Sequence, residues 1–383
     1  MCTLSIEHSK PCLPYLEGWQ FTARSHIPPP PTPVSFGCCL NDDAGDLERN
    51  RLLPVERCLL HPPLLGSDGK YSVKLEIRDA LRVGDNHNAQ VVVAQVLESD
   101  PYLKDLTKGK HVVAKIYDPL YFFDDDGYRN PFLCVDKHYT HEVAAYTTLS
   151  DLQGSMIPEF YGSFSLDIPV GGSTTRCVRL ILVEWIRGLP MRDIDPRTFP
   201  RPERQRIMKT VVDFETMLYT RDLDHPDMHP RNVILTDDAG LTTGAEDGLT
   251  TGLEDGLTTG VADGLTTGVA DELTTGADEG TTGSSGQVRV VFIDFGDVIF
   301  GRTGYYPNNH EMASSSFPGI YISPLLRWHK AHYRGWDFDS WVDWDWQSWL
   351  EAEYENTAAS ITEEMRELFL PSFVLNPPRT PSD

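Results

Sequence analysis

His225-Pro-Asp-Met-His-Pro-Arg-Asn232 is the stretch on which the reading of this chain turns, and Asp294-Phe-Gly296 is its companion. Asp227 and Asn232 stand five residues apart with Pro230 between them, and the apolar run Val233-Ile-Leu235 follows at once. A loop closed by a strand holds such a pair in fixed directions, with the carboxylate facing one way and the carboxamide another. Asp294 comes directly after Val290-Val-Phe-Ile293. That places a carboxylate at the end of a buried strand, where packing keeps it rigid. Phe295 can then pack below it, and Gly296 lets the backbone turn. Asp-Phe-Gly alone matches by chance in many proteins. An apolar strand before it, and Asp-x4-Asn before another strand, makes the combination specific.

Upstream, residues 73–81 alternate imperfectly, 91–97 are strongly β-branched, and His111-Val-Val-Ala-Lys-Ile-Tyr117 is a third strand-like run. Polar connections separate the three, which predicts an antiparallel meander. Residues 135–151 read as a helix with Val143, Tyr146 and Leu149 on one side. Strands are expected near 160–164 and at 178–184. Between 202 and 219, Ile207, Val211, Phe214 and Leu218 recur at helical spacing and make one apolar stripe. Short strands are expected at 233–235 and 288–293, and the remainder to about residue 370 reads as mainly helical.

Residues 1–70 read as irregular, with a proline cluster at 28–33 that suits a spacer. Residues 240–283 carry an internal repeat in which Gly-Leu-Thr-Thr-Gly returns every eight positions from Gly240 to Gly264. Each unit offers too little apolar surface to offset the entropy of ordering the chain. The repeat therefore reads as an acidic insertion in a turn between two short strands, where a long loop is tolerated. Residues 240–286 hold nine acids and no Lys or Arg, and account for part of a net charge of −24. Such a balance argues against a partner that is nucleic acid. Seven scattered cysteines without a C-x-x-C pair argue against a disulfide framework or a zinc site. The start shows no secretory signal and no run is apolar enough for a membrane span, so a cytoplasmic or nuclear monomer is expected.

Phosphoryl transfer needs a metal to bridge phosphates, a cation on the non-transferred phosphates and a carboxylate near the attacking hydroxyl. Lys115 supplies a candidate for the cation, Asp227 for the carboxylate, and Asn232 and Asp294 for holding the metal. The combination resembles the protein-kinase-like superfamily, which includes aminoglycoside and choline phosphotransferases, over about residues 71–300. The whole resembles divergent kinase-like proteins common in filamentous fungi. The resemblance implies an α+β, two-lobed fold. A small antiparallel β-sheet lobe at 71–185 would be followed by a mainly helical lobe at 186–375 and a tail at 376–383. It implies ATP and Mg²⁺ as cofactors. Asp227 looks like the catalytic-loop base, Asn232 and Asp294 like the Mg²⁺ ligands, and Lys115 like the strand lysine on the α- and β-phosphates. Glu142 looks like that lysine's ion-pair partner. Glu184-Trp-Ile186 resembles the hinge whose backbone meets the adenine.

The pattern also departs from that family. The loop 82–90, which would cover the phosphates, has Gly84 as its only glycine, and Asp85 stands in it as a charge that repels phosphates. Pro226 replaces the arginine that would answer a phosphorylated loop. No Ala-Pro-Glu follows Asp294. His229 and Pro230 fit the form His-x-Asp-x-His-Pro-x-Asn of the small-molecule branch. His225 reads as a structural histidine bonding backbone, Asp297 as a solvated acid, and the six Trp between 328 and 349 as the core of a helical subdomain. Two functions remain: a kinase acting on a hydroxyl of a protein or small molecule, and a catalytically weak pseudokinase that only binds. A third possibility is a scaffold whose acidic repeat recruits basic partners.

Overall fold

The computed structural model describes residues 10–35, 37–85, 87–122, 127–236, 288–301, 317–331 and 333–370. Six antiparallel strands close into a barrel: β1 (Gln20–Ile27), β2 (Ser67–Arg82), β3 (Gln90–Ser99), β4 (His111–Tyr117), β5 (Phe160–Gly171) and β6 (Thr174–Glu184). Their order around the barrel is β1-β2-β3-β4-β6-β5. β1 closes it, pairing Phe21 with Leu75 on one side and Arg24 with Ser165 on the other. Closure leaves no unpaired edge. The N-terminal residues expected to be irregular thus supply a strand, and also two short helices, α1 (Asp43–Arg49) and α2 (Pro54–Leu60). The strand was illegible because Gln20-Phe-Thr-Ala-Arg-Ser-His-Ile27 buries only Phe21, Ala23 and His26, too few apolar residues for a visible alternation.

Period-two alternation decides what β4 does. Val112, Ala114 and Ile116 point into the barrel and are fully buried. Val113 and Lys115 therefore point out of it, and Val113 packs into a second core outside the barrel wall. Helix α3 (Pro131–Thr148) lies against that wall. Asn130 caps it by accepting from the amides of Phe132 and Leu133, and Pro131 occupies the first helical position. The expected helix was thus placed four residues late at its start. Tyr139, Val143 and Tyr146 fill the second core. The same helix buries five polar side chains, Lys137, His138, Thr140, His141 and Glu142. A helix buries such groups only where partners wait for them.

Helix α4 (Arg201–Thr220) buries Ile207, Val211, Phe214 and Leu218, the stripe its spacing predicts. Phe214 stacks on Phe292 with ring centroids 3.8 Å apart. Phe292 lies in β10 (Arg289–Phe292), which pairs with β9 (Val233–Thr236), and β9 pairs in turn with the two-residue β7 (Leu189–Pro190). Another small pair joins β8 (Leu223–Asp224) to β11 (Ile299–Phe300). Thr236 faces Arg289, so the chain leaves and rejoins this hairpin at adjacent points. The acidic repeat lies outside the described residues. The rest comprises short helices, among them α5 (Pro324–Arg327), α6 (Trp346–Glu353) and α7 (Glu363–Phe369), with 3-10 turns between. Trp328 and Trp341 are buried, while Trp344, Trp346 and Trp349 pack half-buried against the second core, so tryptophan serves as core in this part. The side chain of Trp336 lies outside the described residues. The architecture is α+β: an antiparallel sheet with helices. No described helix is long and apolar enough to cross a membrane.

Candidate functional site

Lys115, Glu142 and Asp294 meet. Lys115 Nζ donates to Glu142 Oε2 at 2.5 Å and to Asp294 Oδ1 at 2.6 Å. Tyr117, two residues along the same strand and so on the same face, donates its hydroxyl to the same Glu142 oxygen at 2.5 Å. Sequence reasoning passed over Tyr117, although its spacing from Lys115 was the available signal. Burial alone would discharge the lysine, but Asp294 and Glu142 override it and hold the ammonium above its ordinary range. Burial likewise works against ionised Asp294, and Lys115 overrides it, so that carboxyl sits below its usual value. Glu142 goes the other way: only 2% of its surface is exposed, and burial outweighs the pull of Lys115.

Asp294 adopts φ of 65°, in the left-handed region that side chains other than glycine rarely occupy. Such backbone persists only where the surroundings enforce it. Here Phe295 is fully buried, edge-on to Tyr146 at 5.3 Å. Gly296 passes α3 so closely that a Cβ would lie 3.3 Å from His138 Cβ and 3.4 Å from Glu142 Oε2. Asp297 then receives Lys137 Nζ at 2.9 Å and His138 Nε2 at 3.2 Å. The expectation of a solvated acid is corrected: α3 buries two donors that hold this carboxylate.

The loop from His225 forms the second half. Asn232 Nδ2 donates to the Asp227 carbonyl at 2.9 Å and to Asp227 Oδ2 at 2.7 Å. Arg231 pairs with the other carboxylate oxygen, Oδ1. Arg231 was also overlooked, although a cation four residues after an acid is a standard pairing distance. Burial pushes the Asp227 carboxyl up despite Arg231 and Asn232. The amide of Ile293 donates to the Asn232 carbonyl at 3.0 Å and ties this loop to the strand end before Asp294. His225 is buried against Phe295, at 5.5 Å between rings, and burial lowers its pKa. Its Nδ1 meets no partner among the described residues, so the expected bond to backbone is not found at that atom. His229 Nδ1 accepts from the Arg231 amide at 3.3 Å, a local role.

The remaining predicted residues sit nearer the barrel. Gly84 adopts φ of 150°, and its amide and carbonyl are both taken by the side chain of Gln90, at 2.8 Å each. Asp85 pairs with Lys10 at 2.7 Å, so its charge is answered. Glu184 ends β6 opposite Val112, its Oε2 accepting from the Glu159 amide at 3.1 Å. Ile186 is half-buried just beyond it.

No family model matches the chain, and no curated protein matches it. Among solved structures it is similar to the Rio2 kinase from Chaetomium thermophilum, crystallised as an ADP/Mg²⁺-phosphoaspartate complex. The identity is 13% and the TM-score 0.33, over 76% of this chain and 69% of that one. An overlap of that size carries no argument about chemistry.

Two oxygen ligands, the Asp294 carboxylate and the Asn232 carboxamide, suit a hard divalent cation. Asn232 spends its NH₂ group on Asp227, which leaves its oxygen for such a cation. Among the described residues no three His, Cys, Asp or Glu side chains converge on one point.

Proposed function

We propose that this chain is a kinase-like protein that binds ATP with Mg²⁺ and transfers the γ-phosphoryl group to a hydroxyl of a protein or small molecule. The observation that carries this reading is Lys115 bonded at once to Glu142 and Asp294. A charged lysine fixed from one side by a buried acid has donors to spare for phosphate oxygens on the other. Asp294 and Asn232 would hold Mg²⁺, which supplies charge neutralisation of the phosphates. Asp227 would orient the acceptor hydroxyl and take its proton, and the rise in its pKa caused by burial suits that work. Arg231 keeps Asp227 Oδ1 occupied in this state and must release it for the acceptor.

A second reading, a nucleotide binder with little or no turnover, is favoured by one observation. The Gly84 amide, which would otherwise be free for a phosphate, is already used by Gln90.

Thermal melting tests the binding step. ATP with Mg²⁺ at 100 times Kd adds about 2.7 kcal/mol to native stability. Asp294→Asn should lose most of the Mg²⁺-dependent part. No rise at millimolar ATP removes both readings. An acceptor screen with Asp227→Ala as control separates them, since only the first predicts turnover that the substitution abolishes.

A further inference from the structure

Three thiols gather at the start of α3, away from the residues used above. Cys38 and Cys39 are half-buried in the segment between β1 and α1, and Cys134 is buried in the first turn of α3. Backbone pairing fixes their approach. The Asn130 amide donates to the Cys39 carbonyl at 2.9 Å, Leu40 bridges Arg129, and the Asn41 amide donates to the Tyr128 carbonyl at 3.0 Å. Cys134 Sγ lies 3.8 Å from the Cys39 carbonyl oxygen, and the Cys38 and Cys39 sulfurs are 3.9 Å apart.

The two sides of the cluster differ. Cys39 has the Cys134 thiol on its carbonyl oxygen and the Cys38 thiol beside its own sulfur, and lies within reach of the charges of Lys137 and His138 of α3. Opposing burial, these groups favour its thiolate and bring its pKa down to about 6. Cys134, donor to that carbonyl and buried besides, is held strongly protonated, with Arg129 and Lys137 acting against this. A partly exposed thiolate beside a protonated thiol is the arrangement of an attacking and a resolving cysteine.

We propose that Cys39 and Cys134 form an oxidisable dithiol that reacts with hydroperoxides. The Cys39 thiolate attacks a peroxide oxygen, and the O–O bond breaks. The leaving hydroxide, or the alkoxide of an organic hydroperoxide, takes a proton from solvent, and Cys39 becomes a sulfenic acid. The Cys134 sulfur then attacks the Cys39 sulfur, an S–S bond forms and the S–O bond breaks. The departing hydroxide carries off the Cys134 proton as water. One sulfur pair is oxidised by two electrons and one peroxide is reduced. Cys38 is the poorer partner for Cys39, because adjacent cysteines must distort the peptide between them to reach disulfide geometry. The product ties the N-terminal segment to the helix that carries Glu142. It also removes a negative charge from Lys137 and His138, the pair that holds Asp297.

The test uses the full reduced chain and needs no phosphotransfer assay, so it stands or falls apart from the proposed function. Alkylation of the wild type by iodoacetamide, followed by peptide mass, should be far faster at Cys39 than at exposed Cys12 at pH 7, with a midpoint near pH 6. Hydrogen peroxide should remove two thiols per chain and yield a linked pair of peptides containing residues 39 and 134. Cys38→Ser should leave that link intact. Cys134→Ser should stop at a Cys39 sulfenic acid that dimedone traps. Alkylation of Cys39 no faster than that of Cys12, or a link between Cys38 and Cys39 instead, overturns the proposal.

Discussion

Lys115 and Asp294 stand 179 residues apart in sequence and share a hydrogen bond of 2.6 Å. The bond ties the barrel's outer face to the strand end outside it. Glu142 sits on the same ammonium, so three separate elements depend on one side chain. The arrangement follows from simple rules. Alternation along β4 turns Lys115 out of the barrel, α3 is capped so that Glu142 comes opposite it, and the turn at Gly296 presents Asp294.

Lys115→Met should therefore destabilise the chain strongly. Glu142 would be left in an apolar place with only the Tyr117 hydroxyl, and breaking a buried pair from one side costs about 3–5 kcal/mol. Adding Glu142→Gln removes the stranded carboxylate, so the double variant should be more stable than Lys115→Met alone. Urea unfolding of the wild type and three variants measures this. Additive losses would mean that the pair is not coupled.

Much of this site was legible in the sequence, because strand alternation, the five-residue spacing of Asp227 and Asn232 and the apolar run before Asp294 are local signals. Lys115 in its apolar run, the stripe on α4 and the helix carrying Glu142 were legible for the same reason. What escaped depends on distant partners. β1 has no apolar alternation of its own and earns its place by pairing with β2 and β5. Asp297 looked solvated because its donors, Lys137 and His138, come 160 and 159 residues earlier. Gln90 looked like a loop residue, and nothing in its neighbours says that its amide closes on Gly84.

Asp297 should give an acid-side signature. Burial opposes its ionisation, but hydrogen bonding from His138 and the charge of Lys137 prevail and hold its carboxyl well below the usual range. A carboxyl depressed in the folded state adds stability above its unfolded pKa of about 3.9, and that stability fades as pH falls below it. Asp297→Asn should thus lower stability at pH 7 by roughly 1 kcal/mol, discounted for the partial exposure of the pair. The gap between wild type and variant should close as pH drops below about 4. A gap independent of pH in melts from pH 3 to 7 would refute the ionic account.

Gln90→Ala should loosen the loop that contains Gly84. The Gln90 side chain is fully buried, and it satisfies both backbone groups of Gly84. Losing the two bonds costs about 1–3 kcal/mol. Hydrogen exchange at the Gly84 amide should speed up markedly, while amides in α4 keep their relative protection. Unchanged exchange at Gly84 would show that the loop holds its shape without the clip.

Gly296→Ala tests the contact between the turn after Asp294 and α3. No positive φ demands glycine there; space does. The new methyl would press on His138 Cβ at 3.3 Å, tighter than ordinary contact, and meet the Glu142 carboxylate at 3.4 Å, at the near limit of ordinary contact. His138 is buried and held by Asp297, and Glu142 is held by Lys115 and Tyr117, so neither yields freely. Overpacking of this kind costs about 1–3 kcal/mol. Because the strain falls on Glu142, it reaches Lys115 as well. On the proposed nucleotide binding, the variant should lose more of the rise in melting temperature with ATP and Mg²⁺ than a substitution of equal cost in α4, such as Val211→Ala. Equal losses would mean that the turn packs on α3 without setting the position of Lys115.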